Sequence, residues 1–314
     1  MYDVIIIGGG PGGLSAALYA SRAKLKTLVI EGTIEGGQIA GTSDVENYPG
    51  IIKIDGMELG QVMKEQCENF GAEFIYETVD KVDLKGAVKK VTAGDTVYES
   101  KTVIVATGAK PREMGVPGEK EFQGRGVSYC ATCDAAFYQD LPVYVIGGGD
   151  SAVDEALFIS KFASIVYIVH RRDELRASKN LQDRAMNTPN IKFIWDTVVE
   201  EVKGDKIVNE LVLKNNKTGE VTTISSDKEL FGIFVFIGNV AQTALFKDTL
   251  TLKDGYIVTN EEMETNIEGV YAIGDVRSKK IRQVVTAASD GAIAAINAER
   301  YIAEKEGTLY EGLK

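Results

Sequence analysis

Short aliphatic runs recur along the chain, and two of them meet a cluster of three glycines. Residues 4–7 read VIII and lead into Gly8, Gly9 and Gly10; residues 143–146 read VYVI and lead into Gly147, Gly148 and Gly149. A run that is apolar at every position has no solvent face, so it predicts a strand covered on both sides, as in a parallel sheet. Beyond each glycine cluster the pattern turns helical, over residues 12–23 and 151–162, then returns to apolar strand at 27–30 and 165–169. Strand, helix, strand in that order is a β-α-β unit, here written twice.

Each copy is followed by a similar succession. Residues 57–71 carry the spacing of an amphipathic helix, and residues 72–100 alternate apolar and polar with glycines at the turns, predicting a small antiparallel meander. Residues 102–106 predict a further strand that ends in Thr107-Gly108. After the second copy, residues 191–226 alternate again, with turns at Gly204 and 215–219, and residues 233–237 predict a strand closing at Gly238. The last stretch adds a short strand at 270–273, Gly274-Asp275, and an alanine-rich terminal helix. The expected fold class is α/β: two Rossmann-like dinucleotide-binding domains, each with a parallel sheet plus a small antiparallel β-meander. The expected arrangement is discontinuous, with residues 1–110 and 244–314 in one domain and 111–243 inserted as the other. The crossings are expected at 111–117 and 239–243.

Composition narrows the function. Of 314 residues 44% are hydrophobic, ample for two cores, and the net charge is -11, which argues against nucleic acid or an anionic membrane as partner because both call for a basic face. No stretch approaches the roughly 20 apolar residues of a membrane span, and the first apolar run is too short for a signal core, so a cytoplasmic location is expected. Three cysteines cannot staple a secreted scaffold, and a single histidine leaves little for zinc or a histidine triad. Redox or acid–base chemistry in this chain has to use a bound cofactor, cysteine or carboxylate, and no metal is expected.

The first glycine set is Gly8, Gly10 and Gly13. In a G-x-G-x-x-G turn the first glycine permits the tight bend, the second lets backbone approach a pyrophosphate, and the third lets helix pack on strand. The helix start that follows offers free N–H groups to the phosphates. Glu31, at the end of the next strand, stands where a carboxylate accepts hydrogen bonds from ribose hydroxyls. The second set is Gly147, Gly149 and Ala152, and its next strand ends in His170, Arg171 and Arg172, with Arg176 four residues on. Guanidinium groups there bind a 2′-phosphate that a carboxylate would repel. The second half therefore reads as an NADP(H) site, against the alternative of a merely solvated basic patch. The acid-ended half suits a dinucleotide without a 2′-phosphate, such as FAD.

Between the halves lies Cys130-Ala131-Thr132-Cys133-Asp134. Two cysteines at this spacing can close a short disulfide ring and lower one thiol pKa. Asp134 adjoins them and can exchange the proton that thiol chemistry requires. A zinc site would need a second ligand pair, but the only other cysteine is Cys67, which falls in the 57–71 helix and reads as buried filler. An inert structural pair is the remaining alternative.

These segments together carry a resemblance. GGGPGGLSAA (8–17), EGGQ (35–38), ENYPG (46–50), ATGA (106–109), CATCD (130–134), GGGDSAVDEAL (147–157), HRRDELRA (170–177), YAIGDV (271–276) and RQVVTAASDG (282–291) resemble, in order and over nearly the whole chain, the bacterial-type low-molecular-weight thioredoxin reductases. The resemblance implies an NADPH- and FAD-dependent homodimer that reduces thioredoxin or a thioredoxin-like protein. It implies that Pro11, Gly36, Gly37, Gln38, Asn47, Thr107, Gly108, Gly274 and Val284 join Gly8, Gly10, Gly13 and Glu31 around FAD. Asp275 would hydrogen-bond the ribitol, while Arg282 and Gln283 approach the isoalloxazine. Asp150 and Ser151 would join Gly147, Gly149, Ala152, His170, Arg171, Arg172 and Arg176 around NADPH. Cys133 would be the flavin-facing thiol, Cys130 the one that attacks the protein substrate, and Asp134 the acid–base residue. It further implies a domain rotation, with hinges in the two crossings, since NADPH and the disulfide share one domain and take turns at one flavin face.

The sequence departs from that pattern at 238–243, which read GNVAQT, and at Ala135, where glycine is usual. Phe137 remains as a docking aromatic. Two other readings keep the flavin. One takes electrons from a ferredoxin, which predicts a degraded nucleotide site. The other is a redox-sensing flavoprotein that binds a partner without turnover.

Overall fold

The structure, a computed structural model, describes residues 1–32, 36–41, 45, 47–226 and 230–308, with the backbone alone at Cys133. Contacts divide the chain into two compact units, one of residues 1–110 with 240–314 and the other of residues 111–239.

The first unit is built on a seven-stranded sheet. Its parallel part places Glu73–Tyr76, Thr27–Glu31, Tyr2–Ile7 and Thr96–Val105 side by side, with Val270–Ala272 beyond. The continuous apolar runs are explained by burial on both faces. Val4, Ile6, Val29 and Ile104 point into one core with the helices Pro11–Arg22, Gly56–Asn69 and Val284–Glu306. Ile5, Ile7, Leu28, Ile30, Val103 and Val105 point into the other, under Leu84, Val91 and Phe246. Strand period two thus splits each run between two cores.

The second unit repeats the plan. Ile191–Ile194, Ile165–Val169, Pro142–Ile146, Gly232–Val235 and Val127–Ser128 form a parallel sheet. Val143, Val145, Val166 and Ile168 face the helix Asp150–Ile159, and Tyr144, Ile146 and Val169 face the opposite core. Thr197–Gly204, Val208–Asn215 and Val221–Ser225 make a separate antiparallel meander.

Two expectations need correction, and the cause is the same in both units. The first strand of each expected meander, Glu73–Tyr76 and Ile191–Ile194, belongs instead to the edge of the parallel sheet. Edge strands are half covered, so their alternation looks like that of a meander strand. The expected break before 102 is also absent. Thr96–Val105 is one strand whose outer part pairs antiparallel with Lys89–Ala93 and whose inner part pairs parallel with Tyr2–Ile7. The helix Lys179–Met186 was not foreseen: it is short and polar, with only Gln182 and Ala185 fully buried.

The helices Pro11–Arg22 and Val284–Glu306 pack through their smallest residues. A β-carbon on Gly291 would lie 2.3 Å from the Gly12 carbonyl oxygen and 2.8 Å from the Ala16 nitrogen. The Ser15 hydroxyl donates to the Ala288 carbonyl at 2.6 Å across the same contact. Overpacking of this kind costs about 1–3 kcal/mol. Gly291→Ala is expected to lower the urea midpoint accordingly, while Ser289→Ala, on the exposed side of the same helix, leaves it within about 0.5 kcal/mol of the parent. Equal midpoints for the two variants would show that the helices do not touch here.

Candidate functional site

In the first unit the carboxyl ends of the parallel strands meet at the glycine turn. Gly8 N donates to Ile30 O at 2.8 Å, Ala106 N to Ile7 O at 2.8 Å, and Ile273 N to Val105 O at 2.9 Å. Gly8 has φ +111°, and a β-carbon on it would strike the Ala106 carbonyl oxygen at 2.4 Å. One on Gly13 would lie 1.9 Å from Gly8 O. Side chains are therefore barred where strand and helix must touch. Gly10, by contrast, has nothing nearer than 3.9 Å in that direction, so its face is open. The helix beginning at Pro11 has no side-chain cap at Gly10 and no acid in its first turn. Its free N–H groups and positive end are left for an anion.

The other predicted residues of this half collect around that turn. Gly36 and Gly37 cross above it, with a Gly37 β-carbon placed 2.9 Å from Gly10 Cα. Gln38 sits on the 3-10 turn Gly37–Gly41. The Asn47 amide donates to Gln283 Oε1 at 3.3 Å, and Gln283 caps the terminal helix just before Val284. Glu31 Oε2 accepts from Gly9 N, and Oε1 accepts from Gly32 N at 3.2 Å, which fixes the carboxylate beside the turn. The backbone at Gln242 pairs with Gly108 O at 2.9 Å and accepts from the Thr107 hydroxyl at 2.8 Å. These are main-chain contacts, so the departures Ala241 and Gln242 leave them intact.

Asp275 is the clearest sign of a missing polar group. Its Oδ1 is buried and has no hydrogen-bond partner among the described residues. Burial pushes its carboxyl above the usual carboxylate range, Lys279 and Arg282 pull it back, and Asp290 adds to the rise. Arg282 lies over the Tyr256 ring, 4.3 Å from its centre, with Nε buried and unpartnered. A buried acceptor without a donor is costly unless a ligand supplies one. The uncapped helix, the open face at Gly10 and this orphan oxygen together fit a dinucleotide with hydroxyl groups along its length.

The second unit has the same turn with different ends. Gly147 has φ +151°, and a β-carbon on it would meet Phe236 O at 2.4 Å and Ala152 Cβ at 2.7 Å. Gly149 faces open space, and the helix starting at Asp150 lacks a side-chain cap at that glycine. Asp150 Oδ1 accepts from Ser178 N at 2.7 Å, and Arg176 N donates to Gly148 O at 2.7 Å, which pins the loop after His170 to the turn. Ser151 is exposed beside them. Arg171, Arg172 and Arg176 are exposed, and none forms an ion pair among the described residues. His170 is placed differently: its ring is buried against Gly148, where a β-carbon would fall 2.3 Å from Nδ1. Burial first, then the three arginines, push its pKa down, and its ring is wedged under the turn. Lys217 adds a cation nearby that sequence reading missed, bonded to Asp173 at 2.8 Å and Asp196 at 3.1 Å.

Cys130 is disulfide-bonded and precedes the one-turn helix Ala131–Asp134. The side chain of Cys133 lies outside the described residues. Cys130 Sγ is 3.4 Å from Thr132 Oγ1. Ser128, which nothing in the sequence singles out, is the organiser here: its hydroxyl donates to Asp134 Oδ2 at 2.6 Å and lies 3.1 Å from the Cys130 nitrogen, which donates to it. Burial raises the Asp134 carboxyl and the Ser128 bond opposes that rise. Phe137 is 60% exposed on the following turn. Cys67 is a buried thiol donating to Leu14 O and Met63 O at 3.1 Å each, and burial pushes it up to about 12, so it is inert.

Residues 2–291 match the family model described as pyridine nucleotide-disulphide oxidoreductase. A thioredoxin reductase of Peptoclostridium acidaminophilum is 53% identical over 306 residues, covering 96% of this chain and 97% of that protein. One from Bacillus subtilis is 47% identical over 311 residues, covering 98% and 97%. The crystal structure of thioredoxin reductase from Streptococcus pyogenes aligns with a TM-score of 0.86 at 48% identity, covering 97% of this chain and 99% of that one.

Glu155, on the helix after the second glycine turn, is a half-buried carboxyl: desolvation, then Asp154, push it up to about 7. An acid raised on folding is penalised as it ionises, so its cost is absent below about pH 4 and complete above about pH 8. Glu155→Gln should match the parent's stability near pH 4 and exceed it by on the order of 1–3 kcal/mol near pH 8. Chemical denaturation at the two pH values checks this, and a gap that does not widen with pH contradicts it.

Proposed function

The chain belongs to the pyridine nucleotide-disulphide oxidoreductase family, and from that membership we propose how its two units divide the work of reducing a protein disulfide. The chain is an NADPH-dependent flavoprotein whose activity is thioredoxin-disulfide reduction. The observation that carries the division of labour is one glycine turn ended by a carboxylate and a second ended by free arginines.

In this reading residues 1–110 and 244–314 hold FAD. The uncapped start of Pro11–Arg22 faces the pyrophosphate, with Gly8, Gly10 and Gly13 admitting its approach. Glu31, its carboxylate fixed beside the turn by the Gly9 and Gly32 amides, accepts from ribose hydroxyls. Asp275 Oδ1 takes a ribitol hydroxyl, and Gly36, Gly37, Gln38, Asn47, Thr107, Gly108, Gly274, Arg282, Gln283 and Val284 complete the surround. Residues 111–243 hold NADPH: Gly147, Gly149, Asp150, Ser151 and Ala152 around the pyrophosphate, and Arg171, Arg172 and Arg176 on the 2′-phosphate. His170 supports the turn from below. Held there, FAD would supply the two-electron chemistry that links hydride from NADPH to the disulfide, so that NADPH and one proton account for two thiols.

The chain's own residues then handle sulfur and protons. The Cys130 thiolate attacks a sulfur of the thioredoxin disulfide, forming a mixed disulfide and releasing a thiolate that takes up a proton. Cys133 attacks Cys130 Sγ, which releases reduced thioredoxin and restores the Cys130–Cys133 bond. Asp134, its protonated form favoured by burial and its Oδ2 held by Ser128, supplies and recovers the proton. A ferredoxin donor would leave the three arginines without an anion. A cytoplasmic homodimer completes the proposal; among the described residues no helix is long and apolar enough to cross a membrane.

Cys130→Ser should keep flavin absorbance and NADPH-driven bleaching under anaerobic conditions while losing thioredoxin reduction; retained thioredoxin turnover contradicts the mechanism. Arg171→Glu with Arg172→Glu should raise KM for NADPH by about tenfold to a hundredfold, from lost charge-assisted bonds, and barely alter KM for NADH. Equal effects on the two donors would mean that these arginines do not read the 2′-phosphate.

A further inference from the structure

The helix Val284–Glu306 buries a stripe of small residues, Ala287, Gly291, Ala294, Ala295 and Ala298, and Asp290 falls within that stripe. A carboxylate on a buried helix face needs partners. Asp290 has three. Gly274 N donates to Oδ2 at 2.9 Å, Lys279 Nζ to Oδ2 at 2.8 Å, and Arg277 Nη1 to Oδ1 at 3.0 Å. The side chains of all three charged residues are nearly buried, at 10%, 14% and 12% exposure for Asp290, Arg277 and Lys279. Gly274 itself has φ +67° and directly precedes Asp275.

The contrast with Asp275 is the informative point. Lys279 is close enough to Asp275 to act on its titration, yet it bonds to Asp290, and Asp275 Oδ1 is left buried without a donor. Two carboxylates share one neighbourhood with Arg277, Lys279 and Arg282, and one of the two accepts both of the paired cations. An ammonium bonded to Asp275 instead would occupy the acceptor that a ligand hydroxyl needs.

We propose that Asp290 is a positioning residue for the flavin half: it withholds Lys279 from Asp275 and clamps the Gly274 amide, so that Asp275 presents an unpaired buried oxygen to a polyol hydroxyl of the dinucleotide. Asp290 touches no ligand in this arrangement and acts through two neighbours. The helix that closes the unit thereby sets the acceptor strength of a residue on the opposite loop. The inference rests on FAD being the ligand of this unit.

The test is FAD affinity of the apoprotein, read by quenching of flavin fluorescence, with no turnover involved. Asp290→Asn keeps the size and an acceptor for Gly274 N but removes the charge that holds the cations. It is expected to weaken FAD binding at least tenfold, as Lys279 turns to Asp275. Asp290→Asn combined with Lys279→Met removes the released cation and should recover most of the loss. Lys279→Met alone should bind FAD within about threefold of the parent, because Asp290 is still held by Arg277 and Gly274. Unchanged affinity in Asp290→Asn overturns the proposal, as does a double variant no better than the single one. If Asp290→Asn does not fold, Lys279→Met decides: a loss as large as that of Asp275→Ala would mean that the lysine meets the ligand itself. Apoprotein of the parent that binds no FAD would instead sink the assignment of the flavin to this unit.

Discussion

A helix that begins on a glycine, directly off a buried strand, leaves its first amide groups pointing at nothing. Here this happens twice, at Gly10 and Gly149, and neither helix has a side-chain cap. The turns cannot be repaired by substitution, because β-carbons at Gly8, Gly13 or Gly147 would overlap main-chain or neighbouring atoms. Unmet N–H groups and a positive helix end therefore persist at the end of each sheet, and an anion is the natural complement. In each unit the parallel strand ends and the paired cores hold the turn open, and in the first the small-residue contact with the helix Val284–Glu306 adds to this.

What surrounds each turn then sets its chemistry. Around the first, the charges are inward and mostly paired: Glu31 is held by two amides, Asp290 by two cations and an amide, and Asp275 is the exception. Around the second they are outward, with arginines in solvent beside a buried histidine. A buried acceptor discriminates by hydrogen-bond geometry, whereas exposed guanidinium groups attract a phosphate from a distance and grip it in pairs. The disulfide region follows a third scheme, in which one serine hydroxyl bonds both the Asp134 carboxyl and the backbone nitrogen of Cys130.

Much of this was readable in the residues because each feature is local. Continuous apolar runs mark strands covered on both faces, and residues 4–7, 27–30, 143–146 and 165–169 lie in such strands. The glycine turns and Glu31 are set by spacing within a few residues of one another. What escaped depends on partners far along the chain. Whether Glu73–Tyr76 joins a meander or the parallel edge is decided by Thr27–Glu31, over 40 residues away. Thr96–Val105 changes partners midway, and no sequence signal marks the change because the strand itself does not bend or break. Ser128 looks like any serine until Asp134 folds back to it. Asp290 did leave a trace, a charge on an otherwise small and apolar helix face.

The contact between Gly12 and Gly291 joins residues near opposite ends of the polypeptide. During synthesis the first unit has its opening strands and helices early, but the helix that completes its core follows every other element of the unit. Residues 111–239 are contiguous and can close on the ribosome before that helix exists. The nascent first half must wait meanwhile with Gly12, Ser15 and Ala16 uncovered, a window for chaperones or for aggregation. Truncation before Val284 would thus leave an otherwise finished unit with the small-residue face of Pro11–Arg22 in water.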